Sequence, residues 1–255
     1  MPRHTLLKLS QMTNSTTVAA GINIQPIGIV SSPYKEKFAI PRQPGLVSSA
    51  KGTIKLLGAV NNSESVRELT QFSHIWLLFI FHGTQAQGWK PLVRPPRLGG
   101  NKKMGVLATR STFRPNPIGM SVVKLDKVEQ LEQDVILHIS GMDLLDQTPI
   151  VDIKPYIPYS DAIPEANAGF AQQQPQVSLN VKFSEHAQLA LQALANELPD
   201  LTLLIEQVLA QDPRPAYKQT KADDKVYGMS LYHLNIQWRM VDLQSLEVIK
   251  ISANA

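Results

Sequence analysis

His74-Ile-Trp-Leu-Leu-Phe-Ile-Phe81 is the stretch from which the fold can be read. It is apolar, partly aromatic and partly β-branched. At eight residues it is short for a buried helix, so it reads as a buried strand. Working outward, 24–31, 104–109, 120–125 and 134–140 read as further strands, and proline and glycine punctuate the long loops between them. A short helix is expected over 63–69, capped by Ser63. Many short strands without alternating helices fit a barrel or sandwich better than a parallel α/β sheet. From 167 to 175 the composition shifts to Ala, Gln and Gly, as in a linker. Beyond it the pattern predicts a strand over 177–183 and a helix over 185–197, capped by Ser184 and ended by Pro199. A second helix over 202–210 and paired strands over 227–241 and 246–251 follow. The expected architecture is a mainly β N-terminal domain over 24–166 and a smaller α+β domain over 176–255. Residues 1–23 are expected to be a flexible extension.

The 255 residues contain no cysteine, which removes disulfides, thiolate zinc sites and a cysteine nucleophile together. The longest apolar run, 75–81, is far short of the ~20 residues a membrane span needs, and the N-terminus shows no secretory apolar core. A cytoplasmic protein without a membrane partner is expected. No metal is expected, because His74 and His82 stand without a nearby carboxylate.

Charge is distributed unevenly. Between Glu68 and Asp126 there is no acid, yet Lys90, Arg94, Arg97, Lys102, Lys103, Arg110, Arg114 and Lys124 all fall there. The net charge of +4 is modest; its concentration on Pro- and Gly-shaped loops points to a polyanionic partner. The bland alternative, a solvated basic face, leaves the interleaved Pro-Pro and Gly-Gly unexplained.

Arg94-Pro-Pro-Arg-Leu-Gly-Gly100 and Ala108-Thr-Arg-Ser-Thr-Phe-Arg-Pro-Asn-Pro-Ile-Gly119 resemble the signature of the bacterial TrmO family, also called YaeB or TsaA-like proteins. Ser32-Pro-Tyr-Lys-Glu-Lys-Phe38, Pro41-Arg-Gln-Pro-Gly45, Phe72-Ser-His-Ile-Trp76, Val151-Asp-Ile-Lys-Pro-Tyr156 and Gln211-Asp-Pro-Arg-Pro-Ala-Tyr217 match in the family's order. The resemblance implies a single-sheeted β-barrel that binds S-adenosyl-L-methionine, without the Rossmann Gly-rich loop that is missing here. It implies a homodimeric tRNA methyltransferase acting on N6 of threonylcarbamoyladenosine next to the anticodon.

The family's cofactor contacts map onto Gln43, Pro44, Gly45, His82, Gly83, Arg110, Asp143, Leu144 and Leu145, with Met120 as an apolar wall. Read from residues alone, 41–45 is a plain turn and His82 a strand-end polar residue. Arg94, Arg97, Lys102, Lys103, Arg114, Arg214 and Tyr217 are assigned to RNA, the last two on a loop expected near a partner subunit's active site. Asp143, Asp146, Tyr34 and Tyr217 are candidates for handling the N6 proton; the sequence does not choose among them. Asp152 and Lys154 are expected to pair along their strand. Two rivals stand beside this reading: a non-catalytic RNA-binding module, and a hydrolase with a His–carboxylate pair.

Overall fold

Alternation along six strands closes the barrel. A computed structural model of the chain describes residues 22–174, 179–215, 218–219 and 224–254. Strands β1 (Gly28–Ser31), β2 (Lys51–Leu56) and β3 (His74–Ile80) are followed by a small two-stranded arm, β4 (Leu92–Val93) and β5 (Met104–Gly105). Then come β6 (Ile118–Leu131), β7 (Asp134–Ser140) and β8 (Pro149–Pro155). The barrel order is β1-β2-β7-β6-β3-β8, and every pairing in it is antiparallel. Ile75, Leu77 and Phe79 point inward from β3 and meet Ile54, Val123, Leu137, Ile139 and Ile150 in the core. Each such side chain contributes roughly 1.5–3 kcal/mol by leaving water. Gly119 is small for a reason: a Cβ there would lie 2.5 Å from the ring of Phe79.

The second part is a four-stranded sheet, order β10-β11-β12-β9, built from β9 (Asn180–Phe183), β10 (Tyr227–Leu231), β11 (Leu234–Met240) and β12 (Ser245–Ala253). After α1 (Pro158–Asp161), helices α2 (Glu185–Leu194) and α3 (Leu201–Leu209) accompany this sheet. The Ser184 hydroxyl accepts from Ala187 N at 3.2 Å, so the expected cap forms. The two parts are joined directly. Tyr34 bridges to Leu231, Tyr232 N donates to Pro33 O at 2.7 Å, and Ser230 N donates to the Glu36 carboxylate at 2.7 Å.

Several expectations need correction. The strand over 104–109 shrinks to two residues, because 106–108 coil into a 3-10 turn. Residues 63–66 form a 3-10 turn capped by Asn62, which accepts from Ser65 N, rather than a helix capped by Ser63. The stretch over 227–241 is a hairpin, turned at Tyr232 with φ 54°. Lys51–Leu56 carries Gly52 and two lysines, and so lacks the apolar density that marks the other strands.

Candidate functional site

Four loops converge where strands of the barrel end, and each contact is specific. Gly45 N donates to Gly141 O at 2.8 Å, which ties the turn after Pro41-Arg-Gln-Pro to the loop after β7. Both glycines have positive φ, 78° and 72°, a conformation that side chains resist. A Cβ on Gly45 would meet nothing within 4 Å, so its backbone is open to a ligand. Arg110 Nη1 donates to Gln43 Oε1 at 2.6 Å, and its positive charge also reaches Asp143. A Cβ on Gly83 would lie 3.1 Å from Leu145 Cδ2, so the turn that begins at His82 abuts the same loop. Gln43, Gly45, Gly83, Arg110, Asp143 and Leu145 thus share one neighbourhood, with Pro44, His82 and Leu144 beside them in sequence.

Asp143 is the electrostatic centre of this cluster. Burial pushes its carboxyl up from the usual 3.8 to about 6, opposed by a hydrogen bond from Ser121, by its own backbone and by the charge of Arg110. The Ser121 hydroxyl donates to Asp143 Oδ1 at 2.6 Å. Ser121 reaches it because β6 alternates: Ser121 and Val123 are buried, whereas Met120 is 52% exposed on the other face. Met120 is therefore a surface side chain, not a core one. Leu144 is buried in the core, and its carbonyl accepts from Ser32 Oγ at 2.7 Å, so its side chain does not face the open side of the cluster.

The remaining acid–base candidates are differently placed. Asp146 accepts from Ser32 N at 2.8 Å and pairs with Lys35 at 2.6 Å. Burial raises its carboxyl, but Lys35 and the Ser32 amide outweigh that and hold it below the usual range. Tyr34 is fully buried, and its hydroxyl has no partner among the described residues. Burial, with the nearby Asp143 charge, pushes its ionisation well above the ordinary range. Tyr217 lies outside the described residues. Asp152 and Lys154 pair at 2.8 Å, as expected.

The cations divide into two kinds. Arg94, Lys102 and Lys103 are exposed on the β4–β5 arm and its tip. Arg97 is exposed but donates to the Gln173 carbonyl. Two of the residues assigned to RNA are engaged within the chain. Arg114 Nη1 donates to Thr109 O at 2.7 Å and Val106 O at 3.3 Å, so it braces its own loop. Arg214 is fully buried, with Nε 2.8 Å from Asp212 Oδ1 and Nη2 2.7 Å from Asp212 Oδ2, a bidentate pair that shapes the Asp-Pro-Arg-Pro loop from inside. Sequence reasoning missed Phe113, whose ring carries Lys90 Nζ at 4.5 Å and Lys37 Nζ at 5.5 Å. It also missed Ser121, although the alternation of β6 pairs it with Gly119 on one face. Among the described residues no group of His, Asp and Glu could hold a metal, and no helix is long and apolar enough to cross a membrane.

Comparison with known proteins is consistent along the chain. The family model of the tRNA-methyltransferase O N-terminal domain matches residues 29–162, and that of the TrmO C-terminal domain matches 176–254. The chain is 51% identical over 223 residues to tRNA (adenine(37)-N6)-methyltransferase of Escherichia coli (strain K12), covering 88% of this chain and 95% of that protein. It is 44% identical over 231 residues to the "Putative S-adenosylmethionine-dependent methyltransferase RcsF" of Pseudomonas aeruginosa, covering 90% and 97%. A crystal structure of TrmO from Pseudomonas aeruginosa superposes with a TM-score of 0.77 at 38% identity, over 92% of this chain and 99% of that one.

Proposed function

Because the chain belongs to the TrmO family of tRNA methyltransferases, we propose that it methylates N6 of the adenosine at position 37 of tRNA, using S-adenosyl-L-methionine. The observation that carries this reading is a guanidinium, Arg110, bound to Gln43 and close enough for its charge to act on the half-buried carboxyl of Asp143, beside the open backbone of Gly45. That donor and acceptor set fits an amino-acid zwitterion, and the glycine turn fits a ligand that must lie against backbone.

When bound, the cofactor supplies a methyl carbon activated by its sulfonium. Arg110 holds the cofactor carboxylate with the fork that now donates to Gln43. Asp143 accepts from the ammonium, with Ser121 fixing one of its oxygens. Gln43, Pro44, Gly45, His82, Gly83 and Leu145 form the walls, Leu144 contributes backbone, and Met120 offers an apolar surface at the rim. Most of the rate comes from positioning the two reactants. Of the candidates for the N6 proton among the described residues, Asp146 is paired to Lys35 and Tyr34 is sealed in the core, so neither is free to take it.

The finer substrate is the threonylcarbamoyl form of the base, bound by a homodimer in the cytoplasm. The exposed cations Arg94, Lys102 and Lys103 meet tRNA phosphates, with Arg97 beside them. The barrel over 24–166 carries the chemistry and the 176–255 part supports it. The test is methyl transfer to two otherwise identical tRNAs, with and without threonylcarbamoyl on adenosine 37. Transfer to the modified tRNA alone supports this substrate; equal transfer to both rejects it. Retained tRNA binding without any S-adenosylmethionine binding would favour the non-catalytic RNA-binding reading.

A further inference from the structure

Residues 41–50 lie between a 3-10 turn (Lys37–Ala39) and β2, and they form neither helix nor strand. They nevertheless carry Gln43, Pro44 and Gly45. On one side the segment is held by the Gly45–Gly141 and Gly141–Ala50 backbone hydrogen bonds, at 2.8 and 3.0 Å. On the other side it is held by two glutamines one helical turn apart at the C-terminal end of α3. Gln207 Oε1 accepts from Ser49 N at 3.0 Å and from Ser49 Oγ at 2.8 Å, while its Nε2 donates to Ser48 Oγ at 3.2 Å. Gln211 Nε2 donates to Leu46 O at 3.2 Å, and also to Gln207 O at 3.2 Å. Ser49 is buried, so its amide depends on that one carboxamide oxygen rather than on water.

We propose that Gln207 and Gln211 are positioning residues for the cofactor turn, through which the C-terminal part sets S-adenosylmethionine affinity in the barrel. This rests on the reading that residues 43–45 hold the cofactor. Neither glutamine touches the proposed site. They act by supplying an acceptor to Ser49 and a donor to Leu46, which fixes where Gly45 presents its backbone. The polarity of the two grips is opposite, and this gives the proposal a signature. Gln207→Glu keeps the acceptor that Ser49 needs. Gln211→Glu turns the donor facing the Leu46 carbonyl into a second acceptor and breaks that grip. Gln207→Leu removes the acceptor and leaves the Ser49 amide unmet.

The experiment measures S-adenosylmethionine binding to the full chain by calorimetry, with thermal unfolding and methyl-transfer kinetics alongside. Gln207→Leu and Gln211→Glu should each weaken binding about tenfold, the scale on which an unmet buried polar group acts. KM for the cofactor should rise in step, while kcat at saturation stays within about twofold. Gln207→Glu should bind within about twofold of the unchanged protein, because the acceptor is kept. If all three bind normally and only the melting temperature falls, the glutamines serve stability alone and the proposal is overturned. If Gln207→Leu does not fold, the two glutamate variants decide: equal affinity in both overturns the proposal. A wild-type chain that does not bind S-adenosylmethionine would overturn the reading of the turn itself.

Discussion

Replacing Asp143 with Asn should make the protein more stable and less able to bind its cofactor. Burial holds the Asp143 carboxyl at about 6, against an ordinary value of 3.8. The shift is about two units, and at ~1.4 kcal/mol per unit the buried charge costs the folded state at most about 3 kcal/mol. The sign follows from the protons. Between about pH 4 and 6 the folded chain keeps a proton on Asp143 that the unfolded chain has lost, so stability falls as pH rises through that window. Above that window the full cost is present; below it the cost is absent. The Asn side chain carries no charge and can still accept from Ser121, which donates at 2.6 Å in the parent. Asp143→Asn should therefore match the parent near the acid end of the window and exceed it by about 1–3 kcal/mol at roughly pH 7.5, a range bounded by the linkage limit. Urea unfolding at both pH values reads this directly, and S-adenosylmethionine titration should show weakened binding. A variant less stable than the parent at the higher pH, or one that binds cofactor normally, would sink this view of Asp143.

Arg110→Ala should weaken S-adenosylmethionine binding by about 1.5–3 kcal/mol, the value of a hydrogen bond to a charged group. Calorimetry checks it, and the unfolding midpoint should fall only slightly, because Arg110 is exposed and its charge is the smallest of the influences on Asp143. Changing Arg94, Lys102 and Lys103 together to Ala should weaken tRNA binding and flatten the log–log salt slope by about 0.7–0.9 for each phosphate no longer neutralised. Cofactor affinity should be untouched. Arg214→Ala should destabilise by about 3–5 kcal/mol, because buried Asp212 is left without its bidentate partner. Denaturant unfolding tests this, and adding Asp212→Asn should recover part of the deficit.

Much of the fold is legible because alternation is a local signal. Residues 74–80 and 134–140 declare their buried faces in sequence, and Ser184 marks a helix start that the structure repeats. Lys51–Leu56 is silent, because its partners β1 and β7 supply the burial that its own composition lacks. In the site, motif order locates the loops, and the Gly45–Gly141 and Arg110–Gln43 contacts bring them together. What sequence cannot separate is an outward arginine from an inward one. Arg110 and Arg114 belong to one motif, yet one reaches Gln43 and the other is spent on the carbonyls of its own loop. Arg214 looks like a phosphate contact in sequence because its partner, Asp212, also looks like part of an exposed turn. Only the burial of both shows that they complete each other.

Adenosine-37 methylation itself is tested by mass spectrometry of nucleosides from tRNA incubated with the protein and methyl-labelled S-adenosylmethionine. One labelled product is expected, threonylcarbamoyladenosine from position 37 carrying the added methyl on N6, and it should disappear with Arg110→Ala at limiting cofactor. Label on another nucleoside, or no label although tRNA and cofactor both bind, would contradict the assignment.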